Sequence, residues 1–151
     1  MIAVRWVVGD ADWRDVLALR IEVFVNEQGC PADEEPDALD AEARHLIAVA
    51  EEMVVGCARV IDKGAGKAKI GRVAVRRDRR GEGIGAAIME FALQQLSVDG
   101  CHEVSLEAQV PVIPFYERLG FVAEGPVYLD AGIPHRHMTL AREDGDGTTD
   151  R

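Results

Sequence analysis

Apolar and polar residues alternate along this chain in two rhythms, and the rhythm switches several times. Residues 4–8 alternate in the manner of a short opening strand. Trp13, Val16, Leu17, Ile21 and Phe24 then recur at helical spacing, which predicts a helix with one buried face. Asp10 or Asp12 stands where a cap would start that helix, near Trp13, and the pattern fades at Asn26-Glu27-Gln28-Gly29. Residues 29–44 carry two prolines and a run of acids and read as a loop holding at most one helical turn. Residues 45–51 and 53–62 read as two antiparallel strands joined by a tight turn, and residues 63–67 as a flexible connection.

The second half begins with a strand at residues 70–75. A basic, glycine-rich stretch, residues 76–85, runs straight into a helix whose apolar stripe is Ile84, Ala87, Ile88, Phe91 and Ala92. Gly100 is placed to end it. Glu103–Gln109 reads as a strand parallel to the one before the helix, because a crossover of this length joins parallel neighbours. Pro111 and Pro114 open a short helix that Gly120 stops. Residues 121–129 and 137–142 read as a closing pair of strands, with residues 130–135 as the turn. The predicted order is β-α-ββ-β-α-β-α-ββ, a mixed α/β (α+β) fold.

Composition narrows the class. A chain of 151 residues suits one domain, taken as residues 1–142, with residues 143–151 expected as a disordered polar tail. The longest apolar runs are too short to span a bilayer, and no basic stretch precedes a long apolar one at the start, so a cytoplasmic protein without membrane contact is expected. The formal net charge of −10 disfavours nucleic acid as a partner. Cys30, Cys57 and Cys101 form no pair at metal-ligand spacing, and no metal is expected.

The candidate chemistry lies where the 70–75 strand ends. Val73-Ala74-Val75 is followed by Arg79-Arg80-Gly81-Glu82-Gly83-Ile84-Gly85-Ala86, and the helix begins there. Small residues let backbone N–H groups converge, and the positive end of the helix stands behind them, so the turn suits a diphosphate. The glycines run GxGxG, which is neither the dinucleotide fingerprint nor the P-loop.

The stretch Arg80-Gly81-Glu82-Gly83-Ile84-Gly85 resembles the R/Q-x-x-G-x-G/A signature of GNAT acetyltransferases. Arg72-Val73-Ala74-Val75 resembles their cofactor-binding strand, and Pro114-Phe115-Tyr116-Glu117-Arg118-Leu119-Gly120-Phe121 their later helix. Leu19-Arg20, Val23-Phe24-Val25, Glu27-Gln28, His45, Ala108-Gln109 and Gly132-Ile133-Pro134-His135 extend the likeness to a bacterial, ElaA-like subgroup over about residues 15–140. The resemblance implies a GNAT-type acyl-CoA acyltransferase fold: a mostly antiparallel sheet of six or seven strands, a splayed central parallel pair, and flanking helices. It implies acetyl-CoA as co-substrate, a small-molecule or peptide amine as acceptor, and a homodimer as a superfamily-level expectation. The pantetheine arm would bond to the main chain of Val73 and Val75, and the diphosphate would lie on amides from Arg80 to Ala86.

An amine of pKa about 10.4 is protonated at neutral pH, and removing its proton costs about 4 kcal/mol at pH 7.4, so a base is useful. Many relatives carry a glutamate just before the Arg-Val-Ala-Val segment; this chain has Gly71. Glu107, Glu27 and His135 are the substitutes. Tyr116, by resemblance, donates to the leaving thiolate. Arg20, Glu27, Gln28 and Gln109 are candidate acceptor contacts, and Arg20 is equally suited to pair with an acid of the 29–44 loop. That acidic loop suits a cationic acceptor or plain solvation, and His45 is read as structural. Two rival functions share the fold: an acyl-CoA sensor without turnover, and transfer of a longer acyl chain.

Overall fold

The computed structural model describes residues 1–141. The predicted tail lies outside the described residues. Seven strands follow the order β1-β2-β3-β4-β5-β7-β6: β1 Ile2–Trp6, β2 Arg44–Ala50, β3 Met53–Gly64, β4 Lys67–Val75, β5 Glu103–Gln109, β6 Val122–Asp130 and β7 Ile133–Ala141. The helices are α1 Gly9–Arg20, α2 Ile84–Val98 and α3 Ile113–Arg118. The pairs β1–β2, β2–β3, β5–β7 and β6–β7 are antiparallel, and β4–β5 is parallel. The parallel ladder runs from Lys67↔Glu103 to Lys69↔Ser105, whereas β4 continues to Val75 and β5 to Gln109.

Two compact units divide the chain. The first holds residues 1–61 and 71–95. Its core sets Val16, Leu19 and Val23 of the first helical segment against Ile47, Cys57 and Ala74 of the strands. Each such side chain is worth about 1.5–3 kcal/mol when removed from water. Helix α1 starts earlier than its apolar pattern, at Gly9, and Val8 rather than an aspartate is its cap residue. Asp12 still serves the start, accepting the Val8 N–H at 2.8 Å while paired with Arg5 at 2.6 Å. Beyond Arg20 the helix widens into a π-helical segment, Ile21–Glu27, and ends within the expected 26–29 stretch. The 29–44 stretch contains two short 3₁₀ turns, Ala32–Glu34 and Ala38–Glu42, and Asp37 caps the second. Helix α2 approaches β3 closely because residue 56 has no side chain: a Cβ there would meet Ile88 Cδ1 at 2.7 Å and Ile84 Cγ2 at 3.0 Å.

Of the described residues, the second unit holds 62–70 and 96–141. Val104, Leu106 and Ala108 form the buried face of β5, alternating with half-buried Glu103, Ser105, Glu107 and Gln109. Tyr116 and Phe121 are buried, their rings meeting edge-on at 6.0 Å. Two expected loops shrink to two-residue turns. β3 and β4 meet at Ala65-Gly66, and β6 and β7 at Ala131-Gly132, each turn pair having positive φ. That conformation matches strand twist, so the flanking residues join the strands.

Candidate active site

The glycine-rich loop lies wholly in the first unit. After Val75, one 3₁₀ turn spans Arg77–Arg79, and the chain reaches α2 through Gly81 (φ +84°) and Gly83 (φ +81°). Both are in the left-handed region that other residues reach only at a cost of about 1–2 kcal/mol. Nothing lies within 4 Å of where a Cβ would stand at either glycine, so the backbone there is open to a ligand. The first satisfied helical amide near this end is that of Ala87, donating to the Gly83 carbonyl at 3.0 Å. The N–H groups before it have no acceptor within the helix, which is the arrangement an oxyanion needs.

The arginines around the loop are paired with acids. Arg76 meets Asp78 at 3.1 Å, Arg79 meets Glu82 at 3.0 Å and Arg80 meets Glu27 at 2.6 Å. Exposed pairs like these are worth at most about 1 kcal/mol, so they cost little to break. Arg80 also donates from Nε to the Val75 carbonyl at 3.0 Å, so that carbonyl is engaged within the chain. Val73 is half-buried and Ala74 is buried on α1's side of β4.

β4 contains a feature that its composition did not reveal. Arg72 has φ +49°, left-handed in the middle of a strand. Its carbonyl accepts a long contact from the Cys57 thiol at 3.6 Å, and its guanidinium is held by Glu35 at 2.8 Å and Asp37 at 3.1 Å. Such an irregularity re-aims the backbone of the residues that follow. Gly71, just before it, is not needed for packing, since a Cβ there would meet nothing within 4 Å.

Two of the predicted acceptor contacts, Arg20 and Glu27, are paired within the chain. Arg20 is 1% exposed and donates to Glu35 at 2.7 Å and to both oxygens of Asp40 at 2.9 and 3.0 Å. Its neighbour Arg59 bridges Asp37 at 2.6 Å and Asp40 at 3.1 Å. Arg20 thus pairs with acids of the 29–44 loop, and that loop is not simply solvated: Glu35, Asp37 and Asp40 anchor it to Arg20, Arg59 and Arg72. Burial pushes the Asp40 carboxyl up, but bonds from Arg20, the Asp37 amide and Arg59 outweigh it and hold the group near 2. His45 is structural too, its ring 4.6 Å from that of Trp13 and its Nε2 3.1 Å from the Asp40 carbonyl oxygen. Burial lowers its pKa. Glu27 ends the π-helical segment, and the bond from Arg80 holds its carboxyl below the usual range, which makes it a weak base. Gln28 follows it and is half-buried.

The second unit carries the remaining candidates. Tyr116 sits on α3, and burial pushes its phenol up to about 12. Glu107 on β5 is the hub of a cluster. Tyr128 Oη donates to its Oε1, His137 Nδ1 lies 2.7 Å from Oε2, and Lys69 Nζ lies 3.5 Å from Oε2. Burial alone would raise the Glu107 pKa, but the bonds from Tyr128 and His137, with Lys69 beside them, lower it overall. The carboxylate is thus a poor proton acceptor by itself. His135 is not on a loop as expected but on β7, opposite Gln109. Its Nδ1 lies 2.7 Å from its own strand's Ile133 carbonyl, and its ring is stacked on Tyr128 at 5.9 Å. Lys69, Tyr128 and His137 were not picked out beforehand. The spacing of His135 and His137 by two on one strand was the available signal.

The chain matches the acetyltransferase (GNAT) domain family over residues 14–142 and belongs to that family. The family's general activity is acyl transfer from acetyl-CoA. The chain is 39% identical over 127 residues to the uncharacterised N-acetyltransferase YjcF of Bacillus subtilis, covering 83% of this chain and 89% of the relative. It is 36% identical over 132 residues to protein ElaA of Escherichia coli, covering 85% of each. The crystal structure of an acyl-CoA N-acyltransferase from Pseudomonas aeruginosa superposes with a TM-score of 0.82 at 35% identity, over 93% of this chain and 99% of that one. The expected fold and family are therefore shown. Among the described residues no helix is long and apolar enough to cross a membrane, and no group of three or more His, Cys, Asp or Glu is arranged to hold a metal ion.

Proposed function

We propose that this protein transfers the acetyl group of acetyl-CoA directly to a primary amine. The observation that carries this reading is the loop at Gly81 and Gly83: two left-handed glycines with open space beside them, leading into the N-terminal end of α2, where the first N–H groups have no acceptor within the helix. Amides from Arg80 to Ala86 would hold the diphosphate, with Arg80 exchanging Glu27 for a phosphate oxygen. The pantetheine arm would bond to main-chain groups of β4, chiefly those of Val73, past the end of the parallel ladder. The acyl thioester supplies the electrophilic carbonyl, and the Val73 N–H is the candidate donor to its oxygen.

Tyr116 would donate to the departing thiolate. Full transfer from a phenol at about 12 to a thiolate of ordinary pKa near 8.5 is uphill by roughly 5 kcal/mol, so the role is a strong hydrogen bond rather than prior ionisation. The test is thiol release from acetyl-, succinyl- and longer-chain CoA across a panel of primary amines. Release fastest with acetyl-CoA supports the reading. Binding of acetyl-CoA without release to any amine replaces it with the sensor, and faster release from long chains replaces it with a different acyltransferase.

A further inference from the structure

The cluster around Glu107 has the parts of a base that the β4 strand lacks. β5 and β7 pair in a register that sets Glu107 opposite His137, and β7 pairs with β6 so that Glu124 faces His137 from the other side. The Glu107 and His137 side chains meet on the half-buried face of β5, two residues past the last rung of the parallel ladder, Lys69↔Ser105. This inference rests on the proposed function.

An ionised carboxylate has acceptors only. The nitrogen 2.7 Å from Glu107 Oε2 must therefore carry hydrogen, so His137 Nδ1–H donates and the lone pair is on Nε2. Tyr128 Oη donates to the other carboxylate oxygen, and Lys69 Nζ, 3.5 Å away, adds positive charge beside the carboxylate. The Glu107 carboxylate is fixed from three sides, and it in turn fixes the imidazole. The His137 side chain is 40% exposed, so Nε2 is reachable by a solute. His135, two residues away, has the Ile133 carbonyl at its Nδ1 and, among the described residues, no ion pair with an acid.

We propose that His137 is the general base of the reaction, with Glu107 and Tyr128 as positioning residues. Nε2 takes a proton from the acceptor's ammonium group, and the freed nitrogen lone pair attacks the thioester carbonyl carbon. A C–N bond forms and the C–S bond breaks. The second nitrogen proton passes to the departing sulfur, and the imidazolium, held by the Glu107 carboxylate, later returns its proton to water. The titratable and charged groups around His137 and its Glu107 partner are Lys69 on β4, Glu124 and Tyr128 on β6, and His135 on β7.

The test uses the whole chain. Thiol release from acetyl-CoA is measured for the wild type, His137→Gln and Glu107→Gln with two nucleophiles: butylamine, which must lose a proton, and hydroxylamine, which is neutral at neutral pH. His137→Gln is expected to lower kcat/KM for butylamine about 10²–10⁴-fold, to change the hydroxylamine rate by no more than about 5-fold, and to leave acetyl-CoA affinity by calorimetry unaltered. Glu107→Gln is expected to weaken the butylamine rate and shift the rising limb of its pH profile. Independently of turnover, ¹⁵N-edited NMR of the imidazoles is expected to show neutral His137 protonated at Nδ1, and to lose that tautomer in Glu107→Gln. A butylamine rate unaffected by His137→Gln, an equal fall for both nucleophiles, or an Nε2-protonated His137 overturns the assignment while leaving the transferase reading intact. Absence of acetyl-CoA binding or thiol release in the wild type overturns both.

Discussion

Replacing Arg20 with alanine removes a cation that touches both Glu35 and Asp40. In the native protein its side chain is 1% exposed, and its three nitrogens make bonds of 2.7, 2.9 and 3.0 Å to these two acids. Deleting one partner of a buried ion pair costs about 3–5 kcal/mol, because the remaining charges stay out of water uncompensated. Here the loss is softened: Asp40 keeps Arg59 at 3.1 Å and the Asp37 amide at 2.9 Å, and Glu35 keeps Arg72 at 2.8 Å. The expected cost is therefore near the lower end, about 3 kcal/mol. With a urea m-value of about 2 kcal/mol/M, the unfolding midpoint should fall by roughly 1.5 M. Arg20→Lys should lie between the two, because an ammonium cannot reproduce the two-pronged contact with Asp40. Urea unfolding followed by circular dichroism at pH 7 measures both. A midpoint within about 0.3 M of the wild type, together with a raised KM for the amine acceptor, would refute this reasoning and return Arg20 to the acceptor site.

Asp40, held near 2 against an ordinary 3.8, contributes stability that is fully present above pH 3.8 and is lost as pH falls through 2; Asp40→Asn should flatten the acid limb of stability by about 2 kcal/mol, read by urea unfolding at pH 2 to 5. Tyr116→Phe should lower kcat by roughly 10- to 150-fold, the value of a hydrogen bond to a charged group, with acetyl-CoA affinity unchanged by calorimetry. Gly56→Ala should cost about 1–3 kcal/mol, because its Cβ would stand 2.7 Å from Ile88 Cδ1 and 3.3 Å from the Ala74 carbonyl oxygen. Replacing Glu51-Glu52 by Asn-Gly should stabilise the protein by about 1 kcal/mol in thermal unfolding, since both residues now sit at positive φ, +53° and +67°, in the β2–β3 turn.

The strand and helix pattern was legible because alternation and helical spacing are local. β5 matches its predicted limits, and α2 carries the predicted apolar stripe. The expected 130–135 loop was wrong for a physical reason: a two-residue turn at Ala131-Gly132 suffices once both residues take positive φ, and Pro134 and His135 then enter β7. Arg20 falls in the buried stripe of Val16, Leu19 and Val23, so a buried charge was readable from spacing. Its choice of Glu35 and Asp40 was not, since that depends on how the 29–44 loop folds back. The same holds for Glu107. Its half-exposed position follows from alternation, but its contacts with Tyr128 and His137 follow from registers that only the assembled strands set. The left-handed Arg72 had no local signal, because the acids that hold its side chain are more than thirty positions away in sequence.

Everything proposed for this chain depends on its holding an acyl-CoA, and titration calorimetry with acetyl-CoA addresses that directly. One equivalent of acetyl-CoA should bind per chain, and Gly83→Ala, which forces a side chain into a left-handed position of the diphosphate loop, should weaken that binding at least 10-fold while the protein stays folded. A folded wild-type chain that takes up neither acetyl-CoA nor coenzyme A would contradict the proposal at its root.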